Sequence, residues 1–298
     1  MKKTPIKFLI CCMYLLSKLS LCKVQYIGRF VGRICLKYDK RTVRDIDTNL
    51  SLCFPEKSQQ ERERIRNARL EYLGQIAFEL SHIWVKDSQL LLSYLQPTYD
   101  NHIFEAALKS DEGVIFLFPH LGNWEMMSCY LSQFRTPTLM YSPQKKSKEL
   151  DTFISDARRR VGANLAPANI KGVTQIIKSL KQGGLIGILP DQVPQDGGGV
   201  YCPFYNHQAY TMTLAHRLAK KTHAKVFIGA AFGAEAGFKV LAEPIGEAFY
   251  DDDLEVSAKI LNKSIESLIS RHPEQYQWEY KRFKKQLDNQ RFYVKMKC

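Results

Sequence analysis

Hydrophobic and polar positions follow three patterns along the chain. From about residue 6 to 36 the apolar residues crowd one side of a helical projection. At roughly 100° per residue, Lys7, Lys18 and Arg29 fall within about 40° of one another, with Arg33 about 40° further. Leu, Ile, Phe, Val, Cys and Met fill the opposite side, so the pattern predicts one long amphipathic helix. Over residues 61–95, Ile65, Ala68, Leu70, Leu73, Ile76, Phe78 and Leu80 recur at mixed three- and four-residue spacing, which predicts a second helix ended by Pro97. Beyond residue 113 the pattern breaks into short apolar runs. Residues 113–118, 138–141 and 185–189 read as buried strands, and 226–232 with 238–242 as a terminal strand pair. Residues 123–133, 148–161, 171–182, 211–222 and 252–270 read as helices, with 190–205, containing Gly197, Gly198 and Gly199, as a loop. Strands alternating with helices predict an α/β fold, a mixed central sheet flanked by helices. The expected organisation is a membrane-associating helix in residues 1–44 and a catalytic domain over 45–298.

Composition narrows the class. Hydrophobic residues make up 45% and charged residues 24% of the 298, which excludes a disordered or collagen-like chain. No uninterrupted apolar run reaches about 18 residues, so a polytopic membrane protein is excluded as well. The eight cysteines form no CxxC and no cluster with zinc spacing, so neither a metal nor a cofactor is expected. The net charge of +13 sits at the ends: residues 1–44 carry +10, residues 271–298 carry +5, and the 226 residues between them −2. A basic end attracts nucleic acid or an anionic membrane surface. The wholly apolar side of the N-terminal helix favours an interfacial or shallowly inserted helix, because a nucleic-acid helix would be polar on most sides. Lys2, Lys3 and the apolar residues 8–16 resemble a signal peptide, but no small-x-small cleavage site follows.

The chain has no GxSxG, GxxxxGK[ST], GxGxxG or HExxH. Its positive signal is Pro119-His120-Leu121-Gly122-Asn123-Trp124-Glu125, directly after the first predicted strand. His120 then stands at a strand's carboxyl end, the edge where open α/β sheets bind ligands. Glu125 falls in the first turn of the following helix, from which its carboxylate is expected to reach one imidazole nitrogen, leaving the other as general base. Asn123 heads that helix, and it and the backbone amides beside it are assigned to the substrate. His82 and Asp87 repeat the spacing, but inside a predicted helix a separation of five turns side chains about 140° apart. In the helix over 148–161, Arg158 and Arg160 flank the apolar stripe and are expected to edge a pocket, whereas Arg159 points away. Asp191 ends the third strand and is expected to orient an arginine or hold a sugar hydroxyl.

The block around His120 resembles the signature of the late lipid A acyltransferases, the lauroyl/myristoyl branch of the lysophospholipid acyltransferase superfamily. The run 183–203, Pro203-Phe204-Tyr205 with Thr211, and Pro273-Glu274-Gln275-Tyr276-Gln277-Trp278 with Lys281-Arg282-Phe283-Lys284 resemble further blocks in order. The resemblance covers about residues 1–285. It implies transfer of a fatty acyl chain from acyl carrier protein, or a coenzyme A thioester, to a hydroxyl of a lipid A precursor. It also implies a place at the cytoplasmic face of a Gram-negative inner membrane. The arginine that some members carry after their second strand is missing here, where Tyr141-Ser142-Pro143-Gln144-Lys145-Lys146 stands, so the resemblance implies that the acceptor's phosphate is met elsewhere, with Arg158 and Arg160 as the expected contacts. Another glycolipid or a lysophospholipid is the alternative acceptor, and a basic nucleic-acid-binding protein the alternative class.

Overall fold

The computed structural model describes residues 6–96, 99, 101–143, 147–287 and 292–293. Its frame is a six-stranded sheet built from β1 (Val114–Leu117), β2 (Pro137–Tyr141), β3 (Asn164–Pro167), β4 (Leu185–Ile188), β7 (Lys225–Ala234) and β8 (Gly237–Pro244). The strand order is β3-β2-β4-β1-β7-β8. All neighbours are parallel except β7 and β8, which form an antiparallel hairpin, so the sheet is mixed as expected. Two more strands, β5 (Gly199–Phe204) and β6 (His207–Met212), pair antiparallel as a separate ribbon.

The helices are α1 (Ile6–Leu16), α2 (Leu21–Cys35), α3 (Lys40–Cys53), α4 (Gln59–Ile83), α5 (Ser88–Leu92), α6 (His102–Lys109), α7 (Trp124–Ser132), α8 (Lys148–Arg160), α9 (Ile170–Lys181), α10 (Leu214–Thr222) and α11 (Leu254–Arg271). Successive strand residues point to opposite faces, so a strand covered on both sides must be apolar throughout. In β1, Ile115 and Leu117 join a core with Leu50 of α3, Ile176 of α9, Leu218 of α10 and Ile265 of α11. Val114 and Phe116 join the opposite core with Phe104 of α6 and Met126 and Leu131 of α7.

The structure corrects several expectations. The single helix over 6–36 is two helices. The end of α1 tightens, with Lys18 and Leu19 amides donating to the Leu15 and Leu16 carbonyls, and Ser17 Oγ donates to the Tyr14 carbonyl at 2.9 Å. The helix over 61–95 stops at Ile83, and Asp87 caps α5 by accepting from the Leu90 amide at 2.9 Å. Pro97, Lys2, Lys3 and residues 144–146 lie outside the described residues. Residues 199–212 form the β5–β6 ribbon instead of a loop running into a helix, and α10 begins only at Leu214. Strand β3 and helices α3 and α6 had no counterpart in the sequence pattern.

Helix α2 does not stand apart from the body. It packs on α4 so closely that a Cβ on Gly28 would lie 2.8 Å from both Gln75 Cα and the Gly74 carbonyl oxygen. Arg29 Nε donates to Gln75 Oε1 at 2.5 Å and Arg33 Nε to Glu71 Oε1 at 2.9 Å. The outward side of α1 and α2 carries Phe8, Leu9, Leu15, Tyr26 and Phe30, with Phe8 60% and Tyr26 73% exposed. Among the described residues no helix is long and apolar enough to cross a membrane.

Candidate active site

The site forms where β1 and β4 run out side by side. Leu117 is in register with Ile188, and the Phe118 amide extends the ladder by donating to the Ile188 carbonyl at 3.0 Å. Three residues beyond that pair come His120 and Asp191, each preceded by a proline. Parallel strands advance equally per residue, so the two side chains arrive together. His120 Nδ1 lies 2.8 Å from Asp191 Oδ1, and the His120 amide donates to Asp191 Oδ2 at 3.0 Å. One carboxylate thus holds both the ring and its backbone.

The turn after His120 is pinned from two sides. Gly122 has φ +64° and sits against β7, where a Cβ would meet the Ala231 carbonyl carbon at 2.8 Å. The Asn123 amide donates to the Ala231 carbonyl at 2.8 Å, and the Gln277 amide to the His120 carbonyl at 3.0 Å. The His120 side chain keeps 15% of its surface open while Asp191 keeps 3%.

Glu125 is placed differently from the expectation. It does not bond the imidazole. It accepts from Arg158 Nη2 at 2.5 Å, from Arg158 Nε at 3.2 Å and from Trp84 Nε1 at 3.2 Å. The reason is local: the first turn of α7 faces α8 and the end of α4, while the His120 ring turns towards β4. Burial alone pushes the Glu125 carboxyl up, but the Arg158 charge and its hydrogen bonds outweigh burial and hold it below the usual carboxylate range. Asp191 behaves alike: burial raises it, and the charge and hydrogen bonds of His120 bring it below the usual range. Arg158 is therefore tied to Glu125 and lies over the Tyr141 ring at 5.2 Å, where a free phosphate contact was expected. Arg160 is exposed and donates to the Trp84 carbonyl at 2.9 Å. Arg159 is exposed beside Asp156, as its position on the helix predicts.

Asn123 is at the head of α7 but makes no side-chain cap. Its Nδ2 donates to Glu79 Oε2 at 2.7 Å, and Glu79 also accepts from Gln25 and Gln75. Burial keeps the Glu79 carboxyl above its usual range in spite of these three donors. The Leu121, Gly122 and Asn123 amides donate to other carbonyls, whereas the described residues offer no acceptor to the Trp124 and Glu125 amides that open α7. His82 does not pair with Asp87, its Nδ1 lying 2.9 Å from the Tyr94 hydroxyl.

Sequence reasoning passed over Gln192 and Gln277. Gln192 Nε2 lies 3.2 Å from His120 Nε2 and donates to Gln277 Oε1 at 3.2 Å. A cavity of about 30 Å³ beside Glu125 is lined by Phe118, Trp124, Leu139, Met140, Arg158 and Leu189. A surface cleft of about 610 Å³ between α3 and α4 involves none of these residues. Among the described residues no group of three His, Cys, Asp or Glu side chains could hold a metal ion.

A partly exposed imidazole, oriented by a buried carboxylate at the carboxyl edge of a mixed α/β sheet, has the geometry that general-base group transfer uses. Residues 3–285 match the family model described as bacterial lipid A biosynthesis acyltransferase. The chain is 25% identical over 275 residues to the lipid A biosynthesis lauroyltransferase of Escherichia coli (strain K12), covering 91% of this chain and 89% of that protein. It is 27% identical over 264 residues to the myristoyltransferase of the same strain, covering 87% and 79%. To the palmitoleoyltransferase it is 25% identical over 263 residues, covering 87% and 84%. The chain belongs to the bacterial lipid A biosynthesis acyltransferases, and its activity is acyl transfer in lipid A and lipopolysaccharide biosynthesis.

Proposed function

We infer that the chain moves a fatty acyl group from a thioester, on acyl carrier protein or coenzyme A, to a hydroxyl of a lipid A precursor. The observation that carries this is the His120–Asp191 pair at the mouth of the β1–α7 turn. Asp191 accepts from Nδ1–H and fixes the tautomer, so Nε2 carries the lone pair. An acceptor hydroxyl is a weak nucleophile at neutral pH. Nε2 takes its proton as the hydroxyl oxygen bonds to the thioester carbonyl carbon, and Asp191 stabilises the imidazolium. The carbonyl oxygen gathers negative charge, which the Trp124 and Glu125 amides are suited to meet. Collapse breaks the C–S bond, and the proton on Nε2 goes to the thiolate. Glu125 neutralises Arg158 and sets how α8 closes on α7. Exposed Arg160 is the arginine of α8 best suited to an acceptor phosphate.

The apolar outer side of α1 and α2, with Lys7, Lys18 and Lys23 exposed among it, supports seating on an anionic leaflet, which we assign to the cytoplasmic face of an inner membrane. Mass spectrometry of lipid A tests the function, using cells with the protein, without it, and with His120→Ala. The expected result is one class of acyl chain lost from lipid A in the last two. Unchanged lipid A beside altered phospholipid acyl composition would transfer the reading to a lysophospholipid acceptor.

A further inference from the structure

His120 Nε2, the atom that must take the acceptor's proton, is already occupied. With Nδ1–H committed to Asp191, Nε2 can only accept a hydrogen bond, so the neighbour at 3.2 Å must present an N–H. Gln192 does so, and its orientation is set independently: the same Nε2 donates to Gln277 Oε1 at 3.2 Å. Gln192 follows Asp191 directly, so the residue that orients the base and the residue that covers it come from one strand end. Gln277 belongs to the segment whose own amide holds the His120 carbonyl at 3.0 Å. Neither glutamine is fully buried, so the contact can open.

We propose that Gln192, steered by Gln277, guards the lone pair of His120 against water until an acceptor hydroxyl displaces it. The proposal rests on the acyl-transfer reading above. An unguarded base in a partly open site would accept a proton from water as readily as from a sugar or acyl hydroxyl. Water oxygen would then bond to the acyl carbon, the C–S bond would break, and the water proton would pass through Nε2 to the thiolate. The products would be free fatty acid and free thiol, with the donor wasted. A neutral amide is suited to this task. It blocks Nε2 with a hydrogen bond weak enough for a bound acceptor to replace, and it carries no charge that would change the base. On displacement, the Gln192 and Gln277 amides become available to the acceptor's own oxygens, so the guard also helps position the hydroxyl.

The test measures thiol release and acyl transfer from one lauroyl thioester, with and without a detergent-dispersed lipid A precursor. The parent, Gln192→Ala, Gln192→Met, Gln277→Leu and His120→Ala are compared, with thermal melts to establish folding. Gln192→Met keeps the volume and removes the donor. The expected result is acceptor-free thiol release raised about two- to tenfold in both Gln192 variants, the worth of one neutral hydrogen bond. The ratio of transfer to hydrolysis falls, and the acceptor KM rises more than kcat changes. Gln277→Leu moves the ratio the same way and serves if a Gln192 variant does not fold. A ratio equal to the parent's in folded variants overturns the guard, and so does an equal loss of both activities. Two further outcomes separate the ideas: His120→Ala should abolish transfer and hydrolysis together, so transfer surviving in that folded variant would overturn His120 as the guarded base, whereas a folded parent that moves no acyl chain to the lipid A precursor would overturn the acyl-transfer reading itself.

Discussion

At the scale of single residues, the two carboxylates near His120 do different work, and variants separate them. Asp191→Asn leaves the shape but permits the wrong imidazole tautomer, so turnover should drop by about 10²–10⁴ with little change in stability. His120→Ala with Asp191→Asn should be no worse than the worse single change, because the two act as a unit. Steady-state transfer measures both, and near-parent turnover in folded Asp191→Asn would remove it from the mechanism. Glu125→Leu instead strands the Arg158 charge in a largely buried place and should destabilise by about 3 kcal/mol. The double variant Glu125→Leu with Arg158→Met should recover most of that loss in urea unfolding. The sign with pH follows from the lowered Glu125 carboxyl. Its contribution is full above the unfolded carboxylate range and is lost as pH falls through the folded value, so the parent should lose more stability than the double variant between about pH 7 and 3. His120, Asn123, Glu125 and Asp191 were all legible in the sequence as candidates. Their pairing was not, because the His120–Asp191 contact spans 71 residues across two adjacent strands. A signal was present: each strand is an apolar run that ends in proline and then a polar residue, Pro119-His120 and Pro190-Asp191.

At the scale of elements, the strands that proved legible are those buried on both faces. β1 and β4 are uninterrupted apolar runs, and length and flanking glycine separate them from helices. Strand β3, Asn164–Pro167, is largely uncovered and short, so it carries no run to read. The β5–β6 ribbon is half-buried and begins at Gly199, the last of three glycines that read as loop. Helix α2 was legible as amphipathic, but its partner was not, because that depends on three glycines distant in sequence. Gly28 and Gly32 are one turn apart on α2 and meet Gly74 of α4; a Cβ on Gly74 would stand 2.7 Å from both Gly32 N and Gly32 Cα. Gly74→Val should therefore push the helices apart. It should cost more than the roughly 1–3 kcal/mol of ordinary overpacking, since backbone atoms cannot move aside as a side chain can. A thermal melt within a few degrees of the parent's would show that α2 packs elsewhere.

At the scale of the whole molecule, the question is how a basic, apolar-faced end presents itself, and the structure divides the charges that the sequence pattern grouped together. Lys7 and Lys18 are exposed on and just after α1. Arg29 and Arg33 sit at the edge of α2 with their Nε atoms given to Gln75 and Glu71 of α4. Membrane attraction is worth about 1 kcal/mol per free basic residue near an anionic surface and is screened by salt. Lys7→Gln with Lys18→Gln should thus weaken binding to phosphatidylserine vesicles by about 2 kcal/mol, or roughly thirtyfold, and the loss should shrink at high salt. Arg33→Gln should weaken it less, because its guanidinium is already partnered. The apolar residues act without salt dependence. Phe8→Ser with Leu15→Ser and Phe30→Ser removes three large exposed side chains at about 1.5–3 kcal/mol each when fully buried in lipid. That triple variant should float free of vesicles in a sedimentation assay while its melting temperature stays near the parent's, since more than half of each residue's surface is open in the protein alone. A triple variant that still pellets with vesicles, or one that melts far below the parent, would show that this face belongs to the protein's own packing and not to a lipid surface.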